Sequence, residues 1–328
     1  MSRFKYDLVL VGGTIVDPQN HFKGIADIAI KDGKIVEVAP EVDTTLAQEA
    51  LDVTGFHILP GVIDLHVHLS PRHSGEYGQR MLAMARVTTT LEIAGPIEGV
   101  LEIAKNYGVG LNMAVLDQIR PGVTVSTDDP SESEIDAFIE KCLTCGALGV
   151  KILGGHYPLT PEATARIIDA AYRNQSYVAF HAGTKATGSD LRGGLEAIEL
   201  ANGRPLHLAH VNSYCRGTIK PCWEEAEDMI NALVRNPNIR SESYLAAING
   251  CSSKCSNGVP ESLVTQRCLK VGGFEPTEEG MEKAILAGWA QINVHGAGRI
   301  ELATGPAAVA YWRSRGTDGE VSFSVNPP

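Results

Sequence analysis

From residue 61 onward, short apolar segments alternate with helical patterns, and this alternation limits the possible folds more than any other feature of the sequence. Residues 160–175 and 222–236 have helical periodicity, and Thr160 followed by Pro161 is a typical helix start. Repeated strand–helix units predict a parallel sheet, and a succession this long favours a (β/α)₈ barrel of the TIM type over an open sheet. The predicted strands are residues 62–68, 87–94, 110–116, 148–153, 177–182, 205–211 and 239–245.

The N-terminal part has a different pattern. Residues 6–17 and 26–40 alternate apolar and polar side chains, and the sequence KDGK within the second of these segments indicates a tight hairpin. We therefore predict two domains. Residues 1–60 form a small β-sandwich module, and residues 61–328 form the α/β barrel, with strands one to seven.

Charge and hydropathy exclude several classes of protein. The formal net charge is −11, which disfavours nucleic acid or an anionic membrane as a partner. No run of about 18 apolar residues could span a bilayer, and the N-terminus lacks the features of a signal peptide. We expect a cytoplasmic protein with a small-molecule substrate.

Histidines end several of the predicted strands. His66 and His68 are separated by one residue, so in a strand their side chains point to the same face. Two neutral imidazoles side by side suit a divalent transition metal. A single strand histidine is more often a hydrogen-bonded core residue, but a series of them at successive strand ends indicates a metal centre. The remaining candidates are Lys151, His181, His207 and His210.

These motifs resemble those of the amidohydrolase superfamily, in the branch of dihydroorotases, hydantoinases and N-acyl-amino-acid deacylases. The similarity extends over about residues 6–213 and is carried by LVGGTIVDP, DIAIKDGKIVEV, ILPGVIDLHVHLSP, GVKILGG, AFHAGT and LHLAHVNS. It implies two divalent ions, usually zinc, bridged by a hydroxide and a carboxylated lysine. The implied ligands are His66 and His68 for one ion, His181 and His210 for the other, and carboxylated Lys151 as the bridge. His207 would lie deeper in the barrel.

The same resemblance implies hydrolysis of an amide C–N bond, with a cyclic amide or imide as the favoured substrate. Tyr157 is a candidate donor to the developing oxyanion. Dihydroorotases carry an arginine directly after the HVHL motif, where this chain has Ser70, with Arg72 two residues further on. Dihydroorotase activity itself is therefore disfavoured.

The family also implies an aspartate at the end of strand eight, which accepts the proton of the attacking water. The late sequence contains a helical pattern over 281–294, and Asp318 is the late candidate for this aspartate, although it lies in a turn-like Gly-Thr-Asp-Gly segment. We expect a second polypeptide to supply strand eight and its aspartate, and therefore an oligomer.

Three alternatives remain open. The substrate could be a linear N-acyl amino acid. The chain could be a non-catalytic metal-binding subunit of a larger complex. It could also be a self-sufficient enzyme that uses Asp318.

Overall fold

A computed structural model describes residues 3–71, 75–244, 246–296 and 299–325. The chain divides into two compact units, of which the first comprises the residues up to Ile63 together with Arg86–Thr89. Arg72, singled out in the sequence, lies outside the described residues. In the described part of the chain, no helix is long and apolar enough to cross a membrane.

The first unit contains one sheet with the strand order β3-β2-β1-β4, and β5 also pairs with β1. The KDGK segment forms the turn between β2 and β3, where Asp32 and Gly33 both have positive φ, as a tight hairpin requires. The two-layer sandwich stays a prediction. The strands are β1 (Tyr6–Asp17), β2 (Phe22–Lys31), β3 (Lys34–Ala39), β4 (Ala47–Asp52) and β5 (His57–Ile58).

A sheet of seven strands carries the candidate site. Its strands lie in sequential order and the pairings from β8 to β12 are parallel, so the seven predicted strands are confirmed within a few residues at each end. The elements are β6 (Val62–Val67), α1 (Gly75–Met84), β7 (Val87–Glu92), α2 (Ile97–Tyr107), β8 (Asn112–Ile119), α3 (Glu132–Thr144), β9 (Gly149–Leu153), α4 (Pro161–Arg173), β10 (Tyr177–His181), α5 (Leu191–Ala201), β11 (Leu206–Leu208), α6 (Cys222–Arg235) and β12 (Ile239–Ser241).

The helices pack their apolar faces against this sheet. Helix α4 begins where the sequence predicts, because the Thr160 hydroxyl accepts a hydrogen bond from the Ala163 amide at 3.1 Å and Pro161 occupies the first turn. Its Ile167 is fully buried in the same apolar cluster as Val150 of β9. This packing holds the carboxyl ends of the strands in fixed register.

The sheet is curled. His66 at the end of β6 and Glu242, just after β12, are hydrogen-bonded to each other although their strands are the first and last of the sheet. In the described ranges no eighth strand joins β6 to β12. The structure is therefore a curled sheet of seven strands, and the eighth strand stays a prediction.

Residues 246–325, hereafter the antiparallel region, contain a four-stranded sheet with the order β13-β18-β16-β17. The helix predicted over 281–294 is wrong beyond Leu286. Helix α8 ends there because the chain turns at Gly288, which has φ of 78°, and the following residues form a strand. The elements are β13 (Ile248–Ser252), β14 (Cys255–Ser256), β15 (Val259–Pro260), α7 (Leu263–Val271), α8 (Glu278–Leu286), β16 (Ala290–Gly296), β17 (Arg299–Ala303), α9 (Gly305–Ser314) and β18 (Glu320–Ser324).

The antiparallel region has its own core. Trp312 and Phe323 are buried in one apolar cluster with Ile285. The indole Nε1 of Trp312 donates to the carbonyl oxygen of Thr317 at 2.9 Å and lies 3.3 Å from that of Ser253. The apolar body and the polar group of this side chain are thus both satisfied inside the region.

Candidate metal centre

Four histidines from three strands meet at the carboxyl edge of the curled sheet. The ring centroids of His66 and His68 are 5.4 Å apart, those of His66 and His210 5.1 Å, and those of His181 and His210 4.5 Å. Lys151 of β9 lines the same cavity, which has a volume of about 310 Å³. The structure therefore brings together all five side chains that the sequence predicts as metal ligands.

Lys151 is the most unusual member of this cluster. Its side chain is buried, and its Nζ atom has no hydrogen-bond partner. Burial lowers the pKa of this amine to about 7, while the carboxylate of Glu242 opposes the shift. A neutral buried amine is the form that reacts with carbon dioxide to give a carbamate, so the setting of Lys151 suits a carboxylated lysine.

Buried Glu92 fixes the loop that follows His68. Its carboxylate accepts hydrogen bonds from the backbone amides of Leu69, of Ala94 at 2.6 Å and of Gly95 at 2.8 Å. Burial nevertheless raises the pKa of Glu92 to about 7. Glu92, at the end of β7, thus holds Leu69, which directly follows the candidate ligand His68.

Two glycines after β9 make room for the neighbouring strand. A Cβ atom on Gly155 would lie 2.1 Å from Nε2 of His181, and one on Gly154 would lie 1.8 Å from the carbonyl oxygen of Gly183. Any side chain at these positions would collide with a candidate ligand or its loop. The GVKILGG motif therefore serves His181 as well as Lys151.

His210 has an unusual backbone. Its φ and ψ are 39° and 60°, in the left-handed region, and it precedes a short 3₁₀ turn at Val211–Tyr214. Buried Tyr214 braces the loops on both sides, because its hydroxyl donates to Ala209 O at 2.7 Å and accepts from the Ala182 amide at 2.8 Å. The imidazole of His210 is thereby directed into the cavity.

Burial keeps the clustered imidazoles neutral. It lowers the pKa of His66, and it lowers those of His181 and His210 well below the usual value. A neutral imidazole has a free lone pair on one nitrogen and can coordinate a metal ion. The electrostatics of the cluster thus match its predicted role.

Glu242 is a site residue that sequence reasoning missed. Burial opposes its charge, but hydrogen bonds from His207 and His66 hold the pKa of this carboxyl well below its usual range. It is the polar residue that closes strand seven, which is the signal that identified the other candidates. The strand that precedes it, Ile239–Ser241, is short and mostly polar, so the signal was weak.

His207 lies behind the cavity rather than in its wall. It is almost fully buried, and its Nε2 lies 3.2 Å from Oε1 of Glu242. His210, two residues later, lines the cavity. This placement agrees with the choice of His210 as the candidate ligand on strand six.

Tyr157 and Asp318 are not brought into the histidine cavity. Tyr157 lines an adjoining cavity of about 390 Å³ that shares His68 with the first one. Its hydroxyl accepts from Nη2 of Arg120 at 3.2 Å, and the guanidinium lies 4.7 Å from the ring centre. Asp318 is exposed in the turn between α9 and β18.

The opposite wall of the cavity carries two arginines. Arg216 donates to Oδ1 of Asn249 at 3.0 Å and lies 3.4 Å from the hydroxyl of Tyr244. Arg267 comes from helix α7, and its guanidinium passes Gly188, where a Cβ atom would lie 2.0 Å from Nη2. Burial lowers the pKa of the Arg267 guanidinium, and the Asp190 carboxylate opposes this shift. This wall is suited to an anionic group.

The donor set fits divalent transition metals. It offers imidazole nitrogens and a lysine that can be carboxylated, and Nζ of Lys151 and Nδ1 of His210 are buried without a hydrogen-bond partner. In their present rotamers no three His, Cys, Asp or Glu side chains of the described residues converge on one point. His66 is hydrogen-bonded to Glu242, and His181 Nε2 lies 3.1 Å from the hydroxyl of Ser189. To bind a metal ion through Nε2, His181 would have to give up its contact with Ser189.

Sequence comparison finds relatives named allantoinase, dihydroorotase and dihydropyrimidinase, while no family model matches the chain. An allantoinase of Deinococcus radiodurans is 28% identical over 250 residues, which cover 63% of this chain and 53% of the relative. A dihydropyrimidinase 2 of Caenorhabditis briggsae is 42% identical over 69 residues, which cover 21% of this chain and 13% of the relative. The chain thus spans about half or less of these relatives.

Solved structures share the fold over a longer range. N-acyl-D-glutamate deacylase from Bordetella bronchiseptica, solved with zinc and a phosphonate inhibitor, has a TM-score of 0.66 at 13% identity and covers 98% of this chain and 72% of its own. L-hydantoinase from Arthrobacter aurescens has a TM-score of 0.55 at 18% identity and covers 73% of this chain and 58% of its own. Sequence and fold together support the resemblance of this chain to the dihydroorotase, hydantoinase and N-acyl-amino-acid deacylase branch of the amidohydrolase superfamily.

Proposed function

We propose that this chain binds two divalent metal ions, of which zinc is the expected metal, and hydrolyses the C–N bond of a cyclic amide or imide. The observation that carries the proposal is the meeting of four histidines with Lys151, whose buried Nζ has no hydrogen-bond partner. The allantoinase, dihydropyrimidinase and hydantoinase relatives support a ring-opening hydrolase.

His66 and His68 would hold one ion, His181 and His210 the other, and carboxylated Lys151 would bridge them. When bound, two such ions supply Lewis acidity for the attack of water on the amide carbonyl. Glu92 and Tyr214 hold the ligand loops. Tyr157 is proposed as a donor to the carbonyl oxygen of a substrate that reaches the adjoining cavity.

We further propose that a second polypeptide supplies strand eight and the proton-accepting aspartate. The support is that β6 and β12 are edge strands in the described part of the sheet, while the residues at their ends are close enough for a hydrogen bond between His66 and Glu242. Open edges that approach so closely invite one more strand. A denaturing gel of native material should then show two polypeptides for each active site.

A linear N-acyl amino acid is a second candidate substrate, and the two arginines opposite the histidines favour it. Guanidinium groups bind carboxylates through paired hydrogen bonds, and Arg216 and Arg267 face the same cavity as the ligands. The deacylase that shares the fold over 98% of this chain agrees with this alternative.

The test combines metal content with a substrate comparison. Elemental analysis of the native assembly should find about two transition-metal ions per active site, and both His66→Ala and His181→Ala should lower that number. His57→Ala, an exposed position in β5, is the matched control and should keep full metal content. Hydrolysis of dihydropyrimidine and hydantoin rings is then compared with hydrolysis of N-acetyl amino acids. Native protein without stoichiometric metal would disprove the proposal.

A further inference from the structure

We propose that Glu242 is a positioning residue that orients the ligand His66 and fixes the backbone of His210. The inference rests on the proposed function, because it assumes that these histidines bind metal. It goes beyond that function because it assigns a role to Glu242, which directly follows strand seven and is not a predicted metal ligand.

The contact with His66 selects one form of its ring. Nδ1 of His66 lies 2.5 Å from Oε1 of Glu242, and a carboxylate can only accept a hydrogen bond. The proton therefore resides on Nδ1, which leaves the lone pair of Nε2 free for a metal ion. A carboxylate behind a ligating histidine also raises the basicity of the ring and limits its rotation.

The same carboxylate acts on strand six. Oε2 of Glu242 accepts from the backbone amide of His210 at 2.5 Å, and Oε1 also lies 3.2 Å from Nε2 of His207. A left-handed backbone is strained for a non-glycine residue. The bond from Glu242 to the His210 amide helps to hold this conformation, which directs the imidazole into the cavity.

Glu242 thus connects the carboxyl ends of the first, sixth and seventh strands through one side chain. Both carboxylate oxygens are used, and each reaches a candidate ligand from a different strand. A carboxylate that served only to stabilise the fold would have no need to contact two ligands of two different ions.

Glu225 provides a matched control for the structural contribution. It is fully buried, and its carboxylate accepts backbone amides of Gly217, Ile219 and Lys220 at 2.7, 2.7 and 3.1 Å. Among the described residues, its carboxylate makes no hydrogen bond to a histidine. Replacing Glu225 should therefore affect stability without affecting the metal ligands.

The experiment measures zinc affinity of the native assembly by competition with a chelating indicator at fixed pH and ionic strength. The variants are Glu242→Gln, Glu242→Ala and Glu225→Gln, and each is first checked for folding by circular dichroism. We expect Glu242→Ala to weaken zinc binding by about 10–100-fold, as is typical for loss of a carboxylate behind a ligand. Glu242→Gln should fall between Glu242→Ala and the native protein, because the amide oxygen still accepts a hydrogen bond. Glu225→Gln should stay within about twofold of native.

A second measurement does not depend on activity. In ¹⁵N-labelled metal-free protein, the His66 ring should show the Nδ1–H form, and Glu242→Ala should lose this preference. His66→Gln identifies the signal.

The outcomes separate this inference from the proposed function. Native protein that binds zinc, together with Glu242 variants of unchanged affinity, would overturn the positioning role alone. Loss of one whole ion in Glu242→Ala, with the other bound as before, would also overturn it by making Glu242 a ligand. Native protein that binds no transition metal would overturn both.

Discussion

The carboxyl edge of the parallel sheet and the antiparallel region differ in whether their buried side-chain polar atoms have hydrogen-bond partners. At the sheet edge, Nζ of Lys151 and one ring nitrogen each of His207 and His210 are buried without a partner. Among the described residues of the antiparallel region, no buried side-chain nitrogen or oxygen lacks one. Its Trp312 indole, for example, reaches two carbonyl oxygens.

We infer from this difference that the sheet edge serves the chemistry of the protein and that the antiparallel region serves its stability. An unsatisfied buried polar group costs about 1–3 kcal/mol, so the unpartnered atoms at the sheet edge lower the stability of the fold there. The described residues of the antiparallel region contain no such unsatisfied side-chain group. We therefore expect changes at the sheet edge to alter function more than stability, and changes in the antiparallel region to do the reverse.

The largest effect is expected for Lys151→Met. It removes the bridging group, and we expect activity to fall by at least about 10³-fold, equivalent to about 4 kcal/mol. The free energy of unfolding should stay level or rise, because an unpartnered buried amine is replaced by an apolar chain of similar length. Steady-state kinetics and denaturant titration of the metal-free form check the two parts. A variant with native activity would show that another residue forms the bridge.

The next effect concerns Glu92 and pH. The folded-state pKa of about 7 lies above the ordinary value of 4.5, so the folded state holds the proton more tightly than the unfolded state. The stability contributed by Glu92 is present in full below pH 4.5 and is lost as pH rises to 7, by about 2–3 kcal/mol. Denaturant titrations at pH 5 and 7.5 measure this loss, and in Glu92→Gln the difference should shrink by that amount. An equal pH dependence in both proteins would place the Glu92 pKa near its ordinary value.

Trp312→Phe tests the antiparallel region. The change keeps the aromatic packing but leaves two buried carbonyl oxygens without their shared donor, so we expect a loss of about 1–3 kcal/mol in stability. Zinc content should not change. Thermal unfolding and elemental analysis measure the two quantities, and Tyr311→Phe, which lies one residue earlier and is less buried, is the control. Reduced zinc content at native stability would contradict the separation of roles.

Arg267 sharpens the comparison, because it belongs to the antiparallel region yet faces the cavity. In Arg267→Gln we expect about a tenfold rise in KM for N-acyl amino acids, about 1.4 kcal/mol, with little change for uncharged rings. Arg313→Gln, whose guanidinium pairs with Glu278 and Glu282 away from the cavity, is the matched control. Equal effects of Arg267→Gln on charged and uncharged substrates would argue against a carboxylate site.

The sequence predicts the sheet edge better than what surrounds it. The strands that carry His66 and His181 could be located because apolar strands end at a polar residue, and parallel strands bring those ends together. Glu242 was missed because the predicted strand 239–245 continues past it, whereas β12 ends at Ser241 and leaves Glu242 directly after the strand. Its contact with His66 depends on the curl of the sheet, which no local pattern encodes.

The antiparallel region could not be derived in the same way. Its residues 281–294 have helical character, but Gly288 divides them into a helix and a strand. The strand at Ala290–Gly296 pairs with β17, the next strand along the chain, and with β18, a distant partner that follows helix α9. Long-range pairing of this kind overrides local propensity.

Gly155 has a consequence for how such sequences can diverge. The space that its missing side chain leaves is filled by the ring of His181, a residue from the next strand along the chain. The residues at these two positions therefore constrain each other sterically. A lineage that gave up the histidine would be free to gain a larger residue at 155, whereas a lineage that kept it would not. In descendants of this chain, the residue at position 155 therefore indicates whether the next strand still carries its histidine.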